Sequence, residues 1–159
     1  LERLKEGNKM PSPLIENIVY EEINHPLDVL SVYGSLTEDE QKEVNRFGMG
    51  TNLSTMISAI VAYAGRLSVG FAVAHDKAHL KGDTALIAVA MRPGFREVHH
   101  AFKMVRLLMA KLTLIGFSEA QVYVNKTNIA AIGLFEGLSF RQIRTSSDGS
   151  IVMSAELKV

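Results

Sequence analysis

Between Ile57 and Leu112 the apolar residues change their period, and that change restricts the fold more than any other feature of the chain. Ile57–Ala64, Leu67–His75 and Thr84–Met91 are mainly apolar runs rich in branched residues. Gly65-Arg66 separates the first two, and the polar stretch Asp76–Asp83, with Gly82, separates the second from the third. Short apolar runs divided by turn residues read as buried strands, and short turns make neighbours antiparallel. Pro93-Gly94 closes the third run. Beyond Arg96 the spacing becomes helical: Ala101, Val105, Leu108 and Leu112 fall on one stripe, with Met104 and Ile115 beside it. Gly116 stands where a helix commonly ends in a left-handed residue. The pattern is a three-strand meander followed by a long amphipathic helix that crosses to the next strand.

The flanks extend this reading. Ile15–Ile23 reads as a first strand ended by His25-Pro26, with Pro26 opening a helix to about Tyr33. Thr37-Glu38-Asp39-Glu40 has the spacing of a capping box, in which threonine and glutamate each satisfy the other's backbone amide. The helix it opens is expected to reach about Phe47 and stop at Gly48, with Gly50–Ser54 as loop. After the long helix come a strand at Ala120–Val124, a helix at Asn128–Leu138 and strands at Phe140–Thr145 and Ile151–Leu157. The last two are joined at Asp148-Gly149, a strong hairpin signal. The expectation is an α/β chain with a mixed, mostly antiparallel sheet flanked by helices, forming one domain over residues 10–159. Leu1–Lys9 reads as a disordered or non-native N-terminal segment, with Met10 as candidate native start.

Composition narrows the function classes. Lysine plus arginine and aspartate plus glutamate both total 17, so no net field attracts nucleic acid or an anionic membrane. No apolar run approaches the roughly 18–20 residues of a membrane span, and Met104–Phe117 is interrupted by Arg106 and Lys111. The absence of cysteine removes disulfides, thiolate catalysis and cysteine-based zinc sites. Leu1–Met10 is polar and charged, unlike a secretory leader, and the expected location is the cytoplasm. Two acceptor-like triplets, at Asn52 and Asn125, read as chance matches. His75, His79, His99 and His100 show no metal-ligand spacing, so no metal is expected.

Two segments carry more than periodicity. Met91-Arg92-Pro93-Gly94-Phe95-Arg96-Glu97-Val98-His99-His100-Ala101 leaves a strand and opens the long helix. It resembles the cofactor loop of the GNAT N-acetyltransferase superfamily, where a Val-x-Pro strand end leads into Arg-x-x-Gly-x-Gly/Ala. Val124-Asn125-Lys126-Thr127-Asn128-Ile129-Ala130-Ala131-Ile132-Gly133-Leu134-Phe135-Glu136-Gly137-Leu138-Ser139-Phe140 resembles the same family's Val-x-x-x-Asn-x-x-Ala-Ile-x-Leu-Tyr-Glu-x-Leu-Gly-Phe signature. The resemblance covers about Ile57 to Leu157. It implies the acyl-CoA N-acyltransferase fold, with acetyl-CoA as co-substrate and a primary amine of a small molecule or protein as acceptor. It also leaves room for a homodimer through a sheet edge.

The family's roles transfer to the matching positions as expectations. Backbone amides of Arg96, Glu97, Val98, His99, His100 and Ala101 are expected at the pyrophosphate, since a helix start offers unpaired amides and partial positive charge. Ala90 and Met91 are expected to bond the pantetheine arm, and Asn128, Ala131 and Phe135 to flank the cofactor. The chain also departs from the pattern. His99 replaces a glycine that lets backbone approach phosphate, and must turn outward or narrow the loop. Glu97 brings negative charge towards an anionic ligand. Phe135 stands where many relatives place a proton-donating tyrosine, and has no proton to give. Ser139 replaces a glycine at a helix end. Acetylating an amine calls for a base, and the candidates are His75 and Asp83, with His79 behind them; the plain alternative for each histidine is a surface turn. The departures support a second reading, a non-catalytic module of the same fold with a decayed cofactor loop.

Overall fold

The computed structural model describes residues 17–23, 27–44, 56–76 and 82–158, apart from the side chain of Val98. The elements run β1 (Ile18–Ile23), α1 (Leu27–Gly34), α2 (Glu38–Val44), β2 (Met56–Ala64), β3 (Leu67–His75) and β4 (Thr84–Met91). They continue with α3 (Val98–Ile115), β5 (Glu119–Val124), α4 (Ile129–Gly137), β6 (Arg141–Thr145) and β7 (Ile151–Glu156). The strands make one sheet in the order β1-β2-β3-β4-β5-β7-β6, antiparallel throughout except between β4 and β5. That is the expected mixed, mostly antiparallel α/β architecture.

β2, β3 and β4 read as nearly continuous apolar runs because both faces of the sheet are covered. On one face α3 inserts Met104, Val105, Leu108 and Leu112, all fully buried, against Ala62, Ala72, Ile87 and Val122. On the other, Val29 and Val32 of α1 pack on Ala59, Val61, Phe71, Val73 and Leu86. Among the described residues, no helix is long and apolar enough to cross a membrane.

Local signals act where the sequence places them. Glu40 Oε1 accepts from the Thr37 amide at 2.8 Å and Thr37 Oγ1 from the Glu40 amide at 3.2 Å, completing the capping box of α2. Gly116 closes α3 at φ 112°, its amide bonding the carbonyls of Leu112 and Thr113. Ser139, where the family pattern leads one to expect glycine, adopts φ 70°, a left-handed conformation that a side chain disfavours. α4 begins one residue later than expected because Asn128 is its cap, and β5 begins one residue earlier because Glu119 pairs with Thr84. Ile15, Pro26, Phe47, Gly48, Gly50–Ser54, His79 and Leu1–Met10 lie outside the described residues.

Candidate active site

β4 and β5 are joined by only three register pairs, Thr84 with Glu119, Ala85 with Ala120 and Leu86 with Gln121. The closed end is tied several times. The Asp83 carbonyl accepts from the amides of Ser118 at 2.9 Å and Glu119 at 3.3 Å, its carboxylate accepts from the Ser118 hydroxyl, and Thr84 Oγ1 donates to Glu119 Oε1 at 3.0 Å. Beyond Leu86 the strands part. β4 leaves through a turn at Pro93-Gly94, where Gly94 takes φ 94°, and β5 through the Asn125–Asn128 turn. Between them lies a cleft of about 360 Å³. Val89 and Met91 aim their backbone N–H and C=O sideways towards this gap, where no strand meets them, whereas Ala90, expected to bond the ligand arm, faces β3 and pairs with Phe71. Buried backbone groups need partners, so the gap suits an extended ligand that carries amides of its own.

Small and apolar side chains shape the cleft. Ala131, in the first turn of α4, leaves room where a larger residue would fill it, and the fully buried Phe135 packs edge-on to Phe140 at 5.1 Å beneath. Asn128 caps α4, its Oδ1 accepting from the Ala131 amide at 3.1 Å. Opposite, α3 starts at Glu97 with extended backbone and no side-chain cap, so no side chain occupies the first-turn amides. His99 points outward, its side chain 64% exposed, and its ring leaves the first turn clear, while the His100 amide already donates to the Glu97 carbonyl at 3.1 Å. His100 turns inward, with Nδ1 2.7 Å from the Tyr20 hydroxyl of β1. Burial first, then the neighbouring His99, pushes the His100 pKa below the ordinary histidine value.

α2 spans the mouth of the cleft. Arg96 donates through Nε to the Met91 carbonyl at 3.0 Å and through both terminal nitrogens to Glu40 at 2.7 and 3.1 Å. One turn further along α2, Glu43 Oε2 accepts from the Asn125 amide at 3.0 Å. The helix therefore touches the chain just past β4 and just past β5. The hydrogen bonds from Arg96, ahead of the one from the Thr37 amide, hold the Glu40 carboxyl below its usual range.

Ala90, Met91, Arg96, Glu97, Ala101, Asn128, Ala131 and Phe135 all border the cleft. Val98, His99 and His100 sit in the first turn of α3, outside its lining. His75 and Asp83 do not border it either. Asp83 lies exposed at the closed end of the β4–β5 pair. His75 is no surface turn residue: it ends β3 fully buried, in register with the cleft residue Leu86. The sequence reading missed Leu36, Glu40, Glu43 and Val44, which wall the cleft from α2 and the turn before it. The capping box located Glu40, but its bond to Arg96 crosses 56 residues and leaves no local trace.

Removing the cap of α4 has a measurable cost. Asn128→Ala is expected to lose about 1 kcal/mol, lowering Tm by roughly 2–4 °C. Asn128→Ser, which keeps an acceptor oxygen, should restore most of it; equal losses in thermal melts of both variants would show that the cap does not matter.

No family model matches the sequence, and no curated protein matches it. Solved structures do. The ribosomal-protein-S18-alanine N-acetyltransferase of Escherichia coli superposes with a TM-score of 0.67 at 17% identity, over 90% of this chain and 96% of that one. A structure of yncA from Salmonella typhimurium with its cofactor acetyl-CoA gives a TM-score of 0.71 at 14% identity, over 90% and 95%. A GCN5-related N-acetyltransferase from Kribbella flavida gives 0.66 at 18% identity, over 92% and 100%. These likenesses span nearly the whole chain and concern its architecture: the protein has the fold of the GNAT N-acetyltransferases.

Proposed function

We propose that the protein transfers an acetyl group from acetyl-CoA to a primary amine. The observation that carries this reading is the parting of β4 from β5 beside an uncapped helix start. Acetyl-CoA would supply the acyl group, activated as a thioester, and the residues present fit it. First-turn amides of α3 suit the diphosphate, since a helix N-terminus favours anions. The sideways backbone groups of Val89 and the Met91 amide suit the amides of the pantetheine arm, with Ala90, Asn128 and Ala131 lining the cleft and Phe135 as apolar floor. A strand-end amide near Met91 would meet negative charge developing on the acyl oxygen. His75, in register with the cleft residue Leu86, is the stronger of the two base candidates, and solvent supplies the proton that Phe135 cannot.

The walls contributed by α2 and Leu36 before it would select the acceptor, a small-molecule or protein amine. The Escherichia coli neighbour is named for a ribosomal-protein alanine, which suits the second class. A non-catalytic module is the rival reading, and one feature favours it: Glu97 borders the cleft beside the place where the diphosphate would lie.

A thermal-shift titration with acetyl-CoA separates the two. At a hundred times the dissociation constant a ligand of the native state adds about 2.7 kcal/mol, so Tm should rise by roughly 5–10 °C. An unmoved Tm at saturating coenzyme would leave only the module.

A further inference from the structure

We propose that the first turn of α3 is a binding site for a divalent transition-metal ion of the zinc class, held by Glu97 Oε1, His99 Nδ1 and His100 Nε2. The three ligand atoms lie within 4.8 Å of one another. His99 Nδ1 is 3.6 Å from Glu97 Oε1, and His100 Nε2 is 3.9 Å from the same oxygen. A tetrahedral ion with bonds of about 2.0–2.2 Å sets its ligand atoms roughly 3.3–3.6 Å apart. The observed separations therefore need only small rotations. Glu97 and His99 are free to make them, with side chains 62% and 64% exposed.

His100 is the fixed member of the set, its side chain 3% exposed. Among the described residues its Nε2 makes no hydrogen bond, while Nδ1 lies 2.7 Å from the Tyr20 hydroxyl. With the proton on Nδ1 and donated to that oxygen, the lone pair of Nε2 faces Glu97. A ring held through its far nitrogen by an oxygen is the usual support of a metal-ligating histidine. Two imidazoles and one carboxylate select zinc, nickel, copper or cobalt over magnesium and calcium. The helix dipole and Lys103, whose charge reaches His100, oppose a cation, and the Glu97 carboxylate opposes them in turn. Because Glu97 and His99 face solvent, water or an anion can complete the coordination. Histidine spacing alone conceals the site, since its third ligand is a glutamate one residue before the helix. The proposal stands whether or not the cleft takes a coenzyme.

Calorimetric titration of the full chain with Zn²⁺, and the visible absorption of added Co²⁺, test it. One ion per chain is expected, with a tetrahedral Co²⁺ spectrum that Zn²⁺ abolishes. His99→Ala and Glu97→Gln alter exposed side chains and should fold normally by circular dichroism while weakening the metal roughly tenfold or more, and Tyr20→Phe should weaken it roughly tenfold. His79→Ala should leave affinity unchanged. No saturable binding, or affinity kept in His99→Ala or lost in His79→Ala, would overturn the assignment.

Discussion

Leu108→Ala should destabilise the protein by about 3–5 kcal/mol, lowering Tm by roughly 6–20 °C. Leu108 is fully buried at the centre of α3, within the cluster that unites the helix with β2, β3, β4 and β5. Truncation removes its transfer free energy and leaves a cavity that the sheet beneath cannot collapse to fill. Its neighbour Leu107 is 43% exposed on the other side of the helix, and Leu107→Ala should stay within about 0.5 kcal/mol of the parent. Calorimetric melts of both variants provide the measurement. Equal losses would mean that α3 does not pack on the stripe containing Leu108.

Ala131→Trp should abolish the stabilisation given by acetyl-CoA, weakening binding on the order of a hundredfold or more, close to the 2.7 kcal/mol of protection at stake. The half-buried Ala131 borders the cleft from the first turn of α4, so an indole there grows into the gap between the parted strands rather than into the packed core. The fold should survive, because the added ring displaces only the contents of the cleft. Ala110→Trp, on the exposed face of α3, is the matched control and should bind as the parent does. If Ala131→Trp still responds to acetyl-CoA with the parent's dissociation constant, the coenzyme does not lie between β4 and β5.

The sequence reading succeeded where the governing interactions are local. The capping box at Thr37 and Glu40, the left-handed glycines at 65, 116 and 149, and the α3 stripe each involve residues within a few positions of one another. Such contacts leave periodic or motif-like traces. The family signature beginning at Val124 similarly led to Asn128, Ala131 and Phe135, all on the cleft wall. What escaped depends on pairings between distant segments. Glu40 meets Arg96, Glu43 meets the Asn125 amide, and Tyr20 meets His100 across 80 residues. His75 shows the same limit: its neighbours in sequence suggest a turn, and only the register with Met56 and Leu86 reveals that strands enclose it on both sides.

The bridge formed by α2 has a consequence for redesign. One short helix both walls the cavity and ties its two rims together, through Glu40 on one side and Glu43 on the other. Substitutions made there to admit a bulkier amine would also alter the aperture's width, so selectivity and coenzyme affinity should shift together. An engineer seeking to change one without the other would do better to begin at Leu36, which faces the cavity but anchors neither rim.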